Sequence, residues 1–395
     1  MNRQRIELID ALRGLGVLGI LTVNASLMAG TIRQGLDATV WPFPATGLSL
    51  GLWWFVHVFC ESKFITLFSM LFGVSMYLVG GEPGTGRTLN LWRRFGWMAA
   101  FGVIHGALIW YGDVLLDYAA CGILVMGLRG WSGPRLIVAG IVTFLIGVAA
   151  MTALPLIADA HPVIYDVMLP GHAPKIAEFQ GTFAQSLWAN IAYWAHERSY
   201  IAVFTIPYSA PLMLLGLGLF KTGVLTGEAR PRLYWIGIGA GVLALAGFGV
   251  FTTGYVHSGF ADSYGAFWDG LLINLTSPFI SFGYACALIL AAHSRLLGWI
   301  ATLLAPLGRM AFTNYIAQSV LMTMVFYGGR GLGLFNHVDR PALVLIVVAV
   351  WTVELIWSHL WLSRFDAGPL EWGWRCLTYN RIGPIRHVKP RVELP

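Results

Sequence analysis

The sequence predicts an all-α fold, a polytopic bundle of transmembrane helices, on three observations. Of 395 residues 57% are hydrophobic and only 11% charged, the mean hydropathy is +0.69, and apolar runs of spanning length recur along the chain. A helical crossing takes about 20 apolar residues, and in hydrocarbon a backbone must satisfy its own hydrogen bonds. On that ruler ten spans are expected, at 6–28, 50–80, 95–111, 114–128, 135–157, 200–221, 233–256, 268–293, 308–328 and 341–362. The second is longer than a perpendicular crossing requires, so the part before Glu61 is expected to lie along the outer interface or re-enter it. The organisation expected is one transmembrane domain, 1–363, with an extracytoplasmic loop at 158–199 and a cytoplasmic interfacial segment at 364–395.

Charge sets the expected orientation. With both termini cytoplasmic, 17 Lys and Arg residues fall on the inner side and five, Arg33, Lys175, Arg198, Arg330 and Arg340, on the outer side, as the positive-inside rule requires. The net charge of +6 is then a cytoplasmic belt, and no nucleic-acid partner is needed to explain it. The basic start is followed by an apolar run, as in a signal peptide, but the run reaches spanning length and contains Asp10 and Arg13, so a retained first span is expected. Cys60, Cys121, Cys286 and Cys376 lack the spacing of a metal site or a disulfide framework. In the long loop, His161, Asp166, His172, Lys175, Glu178 and His196 stand among Trp188 and Trp194. Such a loop could cap an opening or rest on the lipid surface as an interfacial helix. Its histidines are too scattered for metal ligands.

Polar groups inside spans are costly and usually line an interior or a wet cavity. The first span carries Asp10, Arg13 and Asn24. Arg13 and Asn24 are separated by about 16 Å along a helix, which puts them at opposite depths, while Asp10 can pair locally with Arg13. In the second segment His57 and Glu61 share a face, and Lys63 follows; they are expected near the outer mouth, as a substrate-side group or as interfacial anchors. His105 lies inside an apolar run before Asp113 and Asp117. Helical spacing places His105 about 12 Å from Asp113, where it would serve as a general base or as a satisfied interior histidine, with Asp113 capping the next helix. On the cytoplasmic side Arg93, Arg94 and Arg309 could grip phosphates or snorkel to lipid head groups, and Asn314 and Gln318 continue polar character into the ninth span.

Together these residues resemble a known family. Asp10-Ala11-Leu12-Arg13-Gly14 with Asn24, Lys63-Phe64 before Leu67 to Gly73, His105 with Gly112-Asp113 and Asp117-Tyr118-Ala119, Thr313-Asn314-Tyr315, and Gly368-Pro369-Leu370-Glu371-Trp372 resemble the YeiB-type bacterial membrane proteins over nearly the whole chain. The first-span pattern is also similar to heparan-α-glucosaminide N-acetyltransferase and, more distantly, to bacterial membrane O-acyltransferases. That resemblance implies transfer from a cytoplasmic donor to an extracytoplasmic acceptor, with Asn24 matching an asparagine important for acetyl transfer and His57 in a stretch comparable to that of the catalytic histidine.

The function expected is a membrane-embedded acyltransferase of the bacterial inner membrane. Acetyl-CoA or another acyl-CoA is the donor, and a carbohydrate, lipid or small metabolite bearing a hydroxyl or amine is the acceptor. His105, His57, Asn24, Asp113 and Asp117 are the expected catalytic group; Arg13, Arg93, Arg94, Arg309, Asn314 and Gln318 the donor-binding group; Glu61 and Lys63 the substrate-side group. No metal and no covalent Ser or Cys nucleophile is required, and partners comprise membrane lipid and a second copy of the chain. The alternatives are a transporter of a small anion or lipid precursor, and a scaffold whose polar groups only lock helices together.

Overall fold

The computed structural model describes residues 3–158, 176–260 and 263–386. Each of the ten apolar segments contains a helix. We label the principal helices α1 (Arg3–Ala29), α2 (Gly47–Phe59), α3 (Lys63–Gly80), α4 (Thr88–Ile104), α5 (Leu115–Met126), α6 (Gly133–Ala158), α7 (Phe183–Lys221), α8 (Pro231–His257), α9 (Ser263–His293), α10 (Gly298–Arg309), α11 (Ala311–Phe326), α12 (Arg340–Leu362) and α13 (Pro369–Tyr379). Among the described residues seven segments are long and apolar enough to cross a membrane: 7–29, 47–80, 133–154, 202–221, 231–257, 264–293 and 340–362. Large apolar side chains such as Val138, Ile146, Leu243 and Val250 are exposed on α6 and α8, the surface that a lipid-facing helix presents. The chain is thus an all-α polytopic membrane protein.

Three features depart from the sequence expectation. The segment 50–80 is broken, because the α2 helix ends at Phe59 and Ser62 turns the chain at φ 63°, a left-handed conformation that non-glycine residues rarely adopt. Next, residues 183–199, expected in the long loop, are the first half of α7. A capping box starts this helix: Thr182 accepts from Gln185 N, and the Gln185 side chain accepts from Thr182 N. Its 39 residues extend about 58 Å at 1.5 Å per residue, more than hydrocarbon thickness, so part of it projects from the membrane. His161, Asp166, His172 and Lys175 lie outside the described residues.

The third departure is α10, whose polar and apolar faces hid it from an apolar ruler. It packs on α1, where Gly14 faces the Leu304 carbonyl and Gly308 the Asp10 carbonyl so closely that neither has room for a Cβ. Small residues permit this approach in membrane bundles. After Met310 the chain starts again as α11, whose first N–H groups are capped from afar. Glu371 of α13 accepts from Phe312 N at 2.7 Å and Thr313 N at 2.9 Å. The C-terminal helix is thereby tied to the bundle, and Arg94 of α4 stacks its guanidinium 3.7 Å from the Trp374 ring centroid.

Candidate functional site

At His105 the helix that ends α4 at Ile104 loosens into a π-helical turn, His105–Ile109, a distortion frequent at functional sites. The chain then turns back through Trp110–Val114 to begin α5. That reversal overturns the 12 Å spacing expected from a continuous helix. His105 Nδ1 lies 2.9 Å from Asp113 Oδ1, and its Nε2 lies 2.9 Å from Ser319 Oγ on α11. All three residues are buried, at 1% exposure or less.

Asp113 has a second task, accepting from Leu115 N and Leu116 N at 3.1 Å each and so capping α5. Held by two backbone donors, it remains an acceptor for the Nδ1–H of His105. The opposite nitrogen then carries the lone pair and receives the serine hydroxyl. Carboxylate, imidazole and hydroxyl in this order are the geometric signature of an activated nucleophile or a general base.

Residues from the projecting half of α7 hold this arrangement. Asn190, fully buried, donates to the carbonyls of Gly106 and Ala107 at 2.8 Å each and accepts from Tyr111 N at 2.9 Å. It satisfies backbone groups that the π turn leaves over. Arg198 Nη2 donates to Asp117 Oδ2 at 2.5 Å and its Nη1 stands 4.0 Å from Asp113 Oδ2, so the two neighbouring carboxylates share a cation.

His57 sits in a second cluster with no partner in common with the first. Its Nδ1 lies 2.7 Å from Glu61 and its Nε2 3.0 Å from Asp269 on α9. With a carboxylate on each side both nitrogens donate, which describes an imidazolium rather than a base. Trp53 stacks on the ring at 4.8 Å between centroids. Lys63 is fully buried, donates to the His57 carbonyl at 3.0 Å and stands 4.5 Å over the Phe248 ring. His57 and Glu61 line a cavity of about 270 Å³ between α1, α2 and α12 that also takes in Arg340. His105 is thus the histidine with a ring nitrogen facing a hydroxyl, and His57 the one enclosed by two carboxylates.

The family described as protein of unknown function, DUF418, matches residues 219–381. The uncharacterized protein YeiB of Escherichia coli strain K12 is 30% identical over 96% of this chain and 98% of its own length. The uncharacterized protein YxaH of Bacillus subtilis strain 168 is 27% identical, over 98% and 97% of the two chains.

The chain belongs to the YeiB-type DUF418 family. No solved structure matches it. The motifs that carried the resemblance now have spatial meaning. Thr313 and the distant Glu371 meet at the start of α11, His105 and Asp113 form one pair, and Lys63 stands beneath His57.

The basic end of the bundle holds a larger cavity, of about 510 Å³, lined in part by Glu7, Thr226, Glu228, His293, Thr302 and Arg309. Of the residues expected to bind a donor there, Arg309 alone is on its wall. Arg13 is paired with Asp10 at 2.6 Å and Arg94 is stacked on Trp374. Asn314 bonds Leu307 O, Ser358 and Trp357, and Gln318 donates to Glu354 at 2.8 Å. Arg93 is half-buried on α4. Asn24 is half-buried on α1 and makes no hydrogen bond among the described residues, so its amide is uncommitted. Among those residues no group of three His, Cys, Asp or Glu side chains is placed to hold a metal ion.

Sequence reasoning missed Ser319, Asn190, Arg198, Asp269 and Arg340 as site residues. They lie 79 to 214 residues from their partners where hydrogen bonds join them, and each is an ordinary polar residue without a local motif. A burial argument was available for Ser319, one helical turn from Tyr315 on the face that carries Gln318 and Met322.

Proposed function

We propose that this YeiB-type protein is a membrane-embedded acyltransferase of the bacterial inner membrane, taking an acyl group, acetyl above all, from cytoplasmic acyl-CoA to an extracytoplasmic or membrane acceptor bearing a hydroxyl or amine. The observation that carries the reading is His105 held between Asp113 and the Ser319 hydroxyl inside the bundle. The positive-inside rule favours a cytoplasmic basic end, which supports Arg309 and the cavity beside it as the donor side. The pantetheine arm of CoA would reach inward from there, and the free amide of Asn24 is a donor for a developing oxyanion, a contribution of a few kcal/mol where such donors are preorganised.

The sequence required no covalent nucleophile, but the Ser319 hydroxyl against His105 offers one: His105 takes the Ser319 proton as Oγ attacks the thioester carbonyl. The proton passes to sulfur as the carbon–sulfur bond breaks, and CoA leaves as the thiol. The acceptor then attacks the serine ester, and its proton returns through His105 to Ser319 Oγ. A serine relay lets donor and acceptor approach from opposite faces at different times.

The test is binding of acetyl-CoA to the detergent-purified full chain by calorimetry, with CoA and ATP as controls, followed by transfer of labelled acetyl from acetyl-CoA. The expected result is saturable donor binding in both wild type and His105→Ala, with acetyl transfer lost in the variant. Absence of binding at millimolar acetyl-CoA overturns the reading in favour of transport.

A further inference from the structure

The cavity beside His57 holds a charge that no side chain among the described residues meets with a hydrogen bond. Arg340 opens α12, is 6% exposed, and keeps Nε and Nη2 without a hydrogen-bond partner among the described residues. Its guanidinium lies 4.6 Å from the Trp41 ring centroid, and the Trp41 indole N–H is likewise buried and unpartnered. Leaving such donors unmet costs free energy comparable to a lost hydrogen bond each.

Two carboxylates stand near Arg340, but both are held elsewhere. Glu61 is bonded to His57, and Asp37 accepts from Thr39 N and Thr39 Oγ1 at 2.8 and 2.6 Å. Within the cavity cluster the cations are Lys63, the doubly donating His57 and Arg340, against Glu61 and Asp269. Asp37 evens that count, but no carboxylate among the described residues is hydrogen-bonded to Arg340, in an apolar setting where an unmet charge is expensive.

The walls say what kind of molecule brings the missing anion. Arg340 is at the membrane-surface end of α12, and successive turns below it contribute Val344, Val347, Val348 and Trp351. Leu52 and Phe55 of α2 face them. Phe55 and Val348 are 49% and 45% exposed, so the cavity opens sideways toward lipid. A charged contact at head-group level continues into an apolar slot running down the membrane.

We infer that this cavity binds a phosphate-bearing membrane amphiphile, with the phosphate on Arg340 and the acyl chain leaving between α2 and α12. Guanidinium and phosphate match as a bidentate charge-assisted pair. A soluble phosphate would gain nothing from the apolar walls, and a neutral lipid would leave the guanidinium bare. Occupancy does not depend on acyl transfer; it stands or falls by binding alone.

The experiment uses the detergent-purified full chain and radiolabelled lysophosphatidic acid, with the monoacylglycerol of the same chain length and inorganic phosphate as competitors. Saturable binding is expected, weakened at least about tenfold in Arg340→Gln and regained in part by Arg340→Lys. Val344→Phe, which fills the mouth, is expected to lower occupancy without touching the charge. Monoacylglycerol is expected to compete at least about tenfold less well, in line with one lost charge-assisted pair, and millimolar phosphate not at all. Unchanged binding in a folded Arg340→Gln variant overturns the assignment, as does equal competition by monoacylglycerol or displacement by phosphate alone. Where Arg340→Gln does not fold, unchanged binding in Val344→Phe overturns it.

Discussion

A carboxylate on one nitrogen and a hydroxyl on the other fix what His105 can do. Asp113 orients the ring, so replacing it by Asn keeps one of the two acceptors that cap α5, loses the other, and removes the charge that supports an imidazolium. Asp113→Asn is expected to cost about a thousandfold in acetyl transfer and about 1–2 kcal/mol in stability for the lost cap acceptor, measured as turnover and melting temperature on one preparation. Ser319→Ala is expected to abolish a covalent acetyl-enzyme seen by intact-mass spectrometry in the absence of acceptor, whereas full turnover in that variant would point to direct transfer from CoA. Arg198 has a different role, since it neutralises Asp117 from another helix. Arg198→Gln leaves that buried carboxylate uncompensated and is expected to destabilise the fold by roughly 3 kcal/mol, with the Asp117→Asn partner substitution restoring most of the loss.

At the scale of helices the junctions matter more than the spans. The seam between α1 and α10 rests on Gly14 and Gly308 facing carbonyls of the partner helix, so Gly308→Leu is expected to force the pair apart and abolish accumulation of folded protein, read by size-exclusion of the detergent extract. The α13 dock rests on Glu371, whose carboxyl is pushed up by burial, against the pull of the N–H and hydroxyl donors from Thr313 and Phe312. A raised carboxyl favours the docked state while protonated; that contribution is complete below the ordinary carboxyl value of 4.5 and is lost as pH climbs through the raised value. Proteolysis after residue 363 is therefore expected to quicken as pH rises through that window, and Glu371→Gln to flatten the dependence. Glu371→Ala, which leaves two helix N–H groups uncapped, is expected to weaken the dock by about 1–2 kcal/mol. None of this was legible in hydropathy. Apolar runs announce spans because burial in lipid acts on every residue of a run, but the break at Ser62, the amphipathic α10 and the cap from Glu371 each depend on one or two residues meeting distant partners.

Over the whole molecule, the two cavities lie apart, one beside Arg309 at the basic end and one beneath Arg340 at the start of α12, and the His105 group is buried within the bundle. The ten segments and the closeness of His57 to Glu61 could be read from spacing along the chain; the contact of His105 with Asp113 could not, because it needs the chain reversal at Trp110–Val114. The cation on Asp117, the hydroxyl on His105 and the second carboxylate on His57 could not, because α7, α11 and α9 bring them in from 81, 214 and 212 residues away. Reading the two ends as opposite sides of a membrane depends on orientation, and the positive-inside rule supplies the expectation: Arg87, Arg129, Arg230 and Arg295 fall in connections, and Arg232 in the first turn of α8. Lys221 closes the basic end by donating to Glu82 at 2.9 Å and to the Arg129 carbonyl. That contact, with the hydroxyl of Tyr77, holds the Glu82 carboxyl below its usual range. The ten crossings expected from the sequence would return the chain to its starting side. Green fluorescent protein fused after residue 386, or inserted at 81–87, is thus expected to fluoresce, and alkaline phosphatase inserted at 329–333 to be active. A dark C-terminal fusion with an active phosphatase at 81–87 would invert the bundle and place Arg309 outside, where no acyl-CoA could reach it.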